Sequence, residues 1–103
     1  MDYQIVWSPE ALADVESIAS YIARGSEVYA KAVVEKILDA ARDTRVFPFI
    51  GCTVPELGEN TIRERFVYSY RLIYRIHDET ITIAAVIHGR QSFGPYRERI
   101  EGS

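Results

Sequence analysis

The run from Ile62 to Arg90, IRERFVYSYRLIYRIHDETITIAAVIHGR, leaves few folds open to a chain of this size. β-branched and aromatic residues dominate it, and such side chains fit a half-buried pleated surface. It reads as three consecutive strands. The first covers about Thr61 to Tyr68, and the second about Ser69 to Ile76. The polar HDET turn comes next, and the third strand covers about Ile81 to His88. Strands joined by turns this short run antiparallel.

Side chains alternate between the two faces of a strand. In the second strand Tyr70, Leu72, Tyr74 and Ile76 share an apolar face that should meet the core. Arg71, Ile73 and Arg75 share the other. In the third strand Ile81, Ile83, Ala85 and Ile87 face one way. Thr82, Ala84, Val86 and His88 face the other, and Arg90 continues that set past Gly89. Arg63 and Arg65 have the parity of Arg71. Alternation therefore predicts one face collecting Arg63, Arg65, Arg71, Arg75, His88 and Arg90. Arginine suits bidentate recognition of phosphate or carboxylate. The alternative is a set of ordinary solvated strand residues. On this pattern Arg71 points away from the core, so Arg71→Ala is expected to leave the fold nearly intact.

The rest of the chain supplies the cover. Tyr3 to Trp7 is a short strand with Tyr3, Ile5 and Trp7 on one face. Ser8-Pro9-Glu10 is a helix start: a cap, a proline whose missing N–H costs nothing, and an acid at the positive dipole end. The helix runs to about Arg24 on a stripe of Leu12, Val15, Ala19 and Ile22, with Ile18 beside them. Gly25 suits a left-handed helix end, and Ser26 caps the next helix. That second helix covers about Glu27 to Arg45, with Ala30, Val33, Val34, Ile37 and Ala41 as its stripe. So short a connection implies an antiparallel helical hairpin. Phe47-Pro48 ends it. Phe49 to Asn60 reads as a loop, a packed crossing anchored by Phe49, Val54 and Leu57. The tail from Gln91 to Ser103 either turns helical after Pro95 or stays mobile over about 94–103. The layout is a single α+β domain of order β-α-α-β-β-β. The helix pair packs on one face of a twisted, mostly antiparallel sheet, and the other face is free to form a concave surface.

Composition narrows the chemistry. At 103 residues, 48% hydrophobic and 26% charged, the chain is expected to be one ordinary globular domain. No apolar run is long enough to span a bilayer, and no signal peptide is expected ahead of Trp7. The single cysteine, Cys52, excludes an internal disulfide and fits a reducing cytoplasm. A net charge of −3 argues against a generic nucleic-acid binder. That average hides an asymmetry. Residues 1–62 carry five Lys/Arg against ten Asp/Glu, and residues 63–103 carry seven Arg against five Asp/Glu. No P-loop, G-x-G-x-x-G, H-E-x-x-H or C-x-x-C pattern occurs, and His77 and His88 do not make a metal set. No cofactor or metal is expected.

The pattern I-R-E, then Y-R-L-I-Y-R-I, then I-T-I-A-A-V-I-H-G-R resembles the toxins of the RelE/ParE superfamily of bacterial type II toxin–antitoxin modules. The opening I-V-W-S-P-E-A-L-A-D-V-E-S-I-A-S-Y-I is similar to the start of the ParE branch. The likeness covers roughly Tyr3 to Phe93. It implies that the leading strand joins the same sheet. It also implies a cognate antitoxin partner, with operator DNA bound only through that antitoxin.

The resemblance implies one of two targets. In the RelE branch, which cuts mRNA on the ribosome, the arginine of the Y-R pair is catalytic, here Arg71. Arg71 and Arg90 would be the cations, and His88, less closely Tyr96, the acid or base. That branch also uses lysines in the preceding strand, where this chain has Arg63 and Arg65. Arginine's high pKa suits it poorly to carrying protons. The ParE branch poisons DNA gyrase, and a surface built from Arg63, Arg65, Arg71, Arg75 and Arg90 would meet the target or partner. The S-P-E-A-L-A-D-V start and the H-G-R end look more like that branch. The expected function is therefore gyrase inhibition. The alternatives are the ribosome-dependent nuclease and a degenerate toxin that only binds its antitoxin and helps repress the operon.

Overall fold

The computed structural model describes residues 2–102, so the first residue and the last residue of the expected tail lie outside it. Five strands, β1 (Gln4–Trp7), β2 (Cys52–Thr53), β3 (Ile62–Val67), β4 (Tyr70–His77) and β5 (Thr80–His88), form one sheet in the order β1-β5-β4-β3-β2. β1 lies parallel to β5. β5, β4, β3 and β2 are antiparallel neighbours. The leading strand thus joins the sheet, and the α+β order is the expected one. The two-residue β2 is an addition inside the segment read as loop. It pairs Cys52 with Glu64 and Thr53 with Arg63.

The helices α1 (Pro9–Ala23) and α2 (Glu27–Val46) begin where their caps predict. Ser8 Oγ accepts the Ala11 N–H at 3.0 Å, and Ser26 Oγ accepts the Tyr29 N–H at 3.1 Å. The end of α1 differs from expectation. Gly25 does not take a left-handed conformation. The last turn tightens instead, with the Gly25 and Ser26 N–H groups both donating to the Ile22 carbonyl. Among the described residues no helix is long and apolar enough to cross a membrane.

The helical hairpin covers the face carrying Tyr70, Leu72, Tyr74 and Ile76, as alternation predicts. Leu72 and Tyr74 are fully buried there against Ala11, Val33, Ile37 and Ala41. Ile5 and Trp7 pack on the edge of that core. The opposite face is not the open concave surface expected. Val54, Ile62, Ile73, Ala85, Ile87, Phe93 and Ile100 form a second core on it. The tail builds much of this cover, as a tight turn at Gly94–Tyr96 and a short helix α3 (Arg97–Gly102). Of the two forms expected for the tail, the structure has the helical one. In the crossing segment Val54 and Leu57 do anchor it, whereas Phe49 is half exposed beneath the Arg63 guanidinium.

Two features redistribute the side chains between the faces. Across the two-residue turn Tyr68-Ser69, Arg65 pairs with Leu72 and Arg63 with Tyr74. Directly paired residues share a face, so a two-residue hairpin loop reverses odd–even parity. Arg63 and Arg65 therefore lie on the helix face, away from Arg71. A β-bulge then interrupts β5. Tyr74 pairs with Ile83 but Ile73 pairs with Ala85, which leaves Ala84 as the extra residue. Ala84 and Ala85 both join the second core, and Val86 turns to the helix side. His88 pairs with Tyr70 on that same side. The single face predicted to collect six cationic positions is split between both faces.

Candidate functional site

Arg71 is the residue that most of the expected chemistry turns on. It is 6% exposed. Its Nε donates to Glu64 Oε1 at 2.6 Å, and Nη1 and Nη2 donate to the two Glu56 oxygens at 3.0 and 2.8 Å. The guanidinium also lies 5.6 Å from the centroid of the Phe93 ring. Glu64 is itself buried, and Glu56 is partly exposed on the segment after β2. A bidentate pair plus a second carboxylate uses the guanidinium fork fully. The expectation that Arg71 stands on an open face of the sheet is therefore corrected: Glu64, Glu56 and the Phe93 ring close around it.

The other named positions scatter. Arg63 Nε donates to the Gly51 carbonyl at 2.9 Å, and its Nη1 reaches Asn60 Oδ1 at 2.9 Å. Arg65 bonds the Ala40 carbonyl and Asp43, tying β3 to the end of α2. Arg75 donates to the Glu101 carbonyl at 2.9 Å, fastening α3. The Arg90 side chain stands in solvent past the end of β5, while its N–H donates to His88 Nδ1 at 3.1 Å. His88 meets Tyr70 edge to face at 5.4 Å. The Tyr96 hydroxyl accepts from Gln91 Nε2 at 3.0 Å, and Arg99 lies over its ring. His88, Arg90 and Arg71 do not converge on one point.

Sequence reasoning missed the partners that fix Arg71. Glu64 was legible as an acid inside an otherwise apolar strand face. Arg71 pairs with Phe66, and Glu64 lies two residues along on the same face, within diagonal reach. Glu56 left no signal, because its approach depends on the fold of the crossing segment. A third acid ties the tail down. Asp14 Oδ2 accepts the Val86 N–H just past the bulge at 2.9 Å, and Arg99 Nη2 at 2.6 Å.

Arg71 hydrogen bonds hold the Glu56 carboxyl below the ordinary glutamate range, against the opposing effect of burial. A depressed folded value stabilises above the unfolded value, about 4.3. That stability is lost as pH falls through the lowered folded value. The unfolding midpoint should therefore drop as pH is taken below about 4. Glu56→Gln should flatten that dependence and leave the midpoint at neutral pH lower than wild type. Thermal melts of both proteins between neutral and acid pH check this. An unchanged slope in the variant would assign the acid sensitivity to other carboxylates.

The same architecture recurs among known proteins. No curated protein matches the chain in sequence. Among solved structures, the chromosomal ParDE toxin–antitoxin system from P. aeruginosa superposes with a TM-score of 0.69 at 17% identity, covering 84% of this chain and 95% of that one. A mutant E. coli toxin RelE in the free state also gives 0.69 at 17% identity, covering 99% and 97%. The RelBE2 toxin–antitoxin complex from Mycobacterium tuberculosis gives 0.58 at 26% identity, covering 85% and 99%. The profile of the ParE toxin of the type II toxin–antitoxin system parDE matches residues 5–93, from the leading strand through the bulged β5 to the ring that packs on Arg71. With that match spanning both helices and the whole strand meander, the chain belongs to the ParE toxin family of the RelE/ParE superfamily.

Proposed function

We propose that this chain poisons DNA gyrase and is neutralised by a cognate antitoxin. The observation that carries this reading is the state of Arg71. Cleavage of RNA without a metal needs a cation and a proton-transferring group beside the same phosphate. Here the arginine of the Y-R pair is enclosed and saturated by Glu64 and Glu56. The histidine that would serve it lies on the opposite face of the sheet, beside Tyr70. Gyrase poisoning asks less of the toxin, because gyrase makes the strand breaks itself and the toxin supplies only a shaped surface. The antitoxin partner is supported by the family and by exposed apolar residues, including Leu12, Tyr21, Val28, Phe47 and Phe66. A tail that folds as it binds would cover such residues.

Purified toxin is expected to inhibit supercoiling by gyrase and to accumulate cleaved DNA. It is expected to leave mRNA on translating ribosomes uncut. Primer extension showing codon-dependent cuts, with supercoiling unaffected at excess toxin, would establish the nuclease instead. Inactivity in both assays, with tight binding to the product of the adjacent gene, would leave the chain as a co-repressor that reaches operator DNA only through its antitoxin.

A further inference from the structure

Five of the seven tyrosines lie in or beside one cavity, and of these the proposed function draws only on Tyr21, as exposed apolar surface. Tyr21 of α1, Tyr70 of β4 and Tyr96 line a cavity of about 550 Å³ together with His88, Gln91 and Asp14. Tyr29 and Tyr68 extend the aromatic surface outside it, with ring centroids 6.1 Å apart. Tyr21 is 71% exposed, and Tyr29 and Tyr68 are each about half exposed. Tyr68 sits at the tip of the β3–β4 turn with φ at 54°, a conformation that a bulky side chain strongly disfavours. Strain of this kind persists at working surfaces.

The electrostatics of the cavity point to a cation. Among the described residues Asp14 supplies the one carboxylate in its lining, and no lysine or arginine lines it. Asp14 takes both its hydrogen bonds on Oδ2, from Val86 and Arg99, leaving Oδ1 without one. The rings of Tyr21, Tyr70 and Tyr96 line it, and an aromatic ring attracts a cation through its quadrupole. The chain's own Arg99 displays the pairing from outside the cavity. Its guanidinium bonds Asp14 and lies 5.0 Å from the centroid of the Tyr96 ring.

We propose that this cavity receives a cationic side chain, arginine in the first place, from a partner polypeptide. The aromatic surface continuing over Tyr29 and Tyr68 favours a polypeptide over a free small cation, since it offers contact area that a single side chain does not reach. The inference goes beyond the gyrase reading and stands with either target, so failure of one leaves the other intact.

The test is an NMR titration of the whole chain with N-acetyl-arginine amide, beside N-acetyl-citrulline amide as its neutral isostere. Saturable shifts are expected at Tyr21, Tyr70, His88 and Tyr96. Citrulline should bind about three- to tenfold more weakly, the range for a cation over partly solvated rings. Tyr21→Ala, at an exposed position that the fold does not need, should weaken the arginine probe by a similar factor with an unchanged melting temperature. Equal shifts from the two probes, or binding indifferent to Tyr21→Ala, would overturn the proposal. So would a single-stranded oligonucleotide that shifts these resonances when the arginine probe does not, because the tyrosines would then be base-stacking platforms.

Discussion

Arg71→Ala is expected to destabilise the protein by about 3–5 kcal/mol, the range for breaking a buried ion pair by removing one partner. The loss is large because Glu64, 5% exposed, is left charged with its main partner gone. Glu56 loses two hydrogen bonds as well but is closer to water, so it contributes less. In a domain of this size each kcal/mol is worth about 4–8 °C, so the melting temperature should fall by more than about 12 °C. The double variant Arg71→Met with Glu64→Gln removes the stranded charge and should recover a large share of the loss. Urea unfolding of wild type, single and double variants measures both effects. A single variant within about 0.5 kcal/mol of wild type would return Arg71 to the class of ordinary surface residues. The consequence for function is practical. Loss of toxicity in an Arg71 variant implicates Arg71 in the mechanism only if the variant is still folded.

The local signals were strong where chemistry is local. Ser8-Pro9-Glu10 and Ser26 placed both helix starts, because a cap acts within one turn. The face of Tyr70, Leu72, Tyr74 and Ile76 was legible because period-two alternation holds within one uninterrupted strand. What failed was the transfer of parity between strands. A two-residue loop put Arg63 and Arg65 opposite even-numbered partners, and one extra residue at Ala84 turned His88 to the helix side. Neither loop length nor bulge is written in the hydrophobic pattern, since Ala84 and Ala85 look alike in sequence and both are small enough for either face. Gly25 failed for a different reason. Glycine permits a left-handed helix end without requiring it, and hydrogen bonds to the Ile22 carbonyl closed the turn another way. The burial of Arg71 was invisible because its cover comes from Glu56 and Phe93, fifteen residues before and twenty-two after it in the sequence.

Ile100→Ala should cost about 2–5 kcal/mol, the range for truncating a buried isoleucine. Ile100 is fully buried and belongs to the cluster that contains Ile73, Ala85 and Ile87 of the central strands. Helix α3 has six residues, too few to hold its shape without tertiary contacts. Those contacts are the Ile100 side chain, the Arg99 bond to Asp14 and the Arg75 bond to the Glu101 carbonyl. The last two lie partly in water and cannot replace the first. Removing the isoleucine should therefore lower the midpoint of global unfolding, because the face beneath α3 is core shared with β4 and β5. Amide hydrogen exchange separates this from a detachable tail. If residues 94–102 of the wild type exchange as slowly as the strands, and Ile100→Ala lowers the midpoint by at least about 8 °C, α3 is part of the cooperative domain. If those amides exchange freely in the wild type and the variant melts unchanged, the tail opens independently of the sheet. The Arg99 bond to Asp14 and the Arg75 bond to the Glu101 carbonyl would then be broken for part of the time.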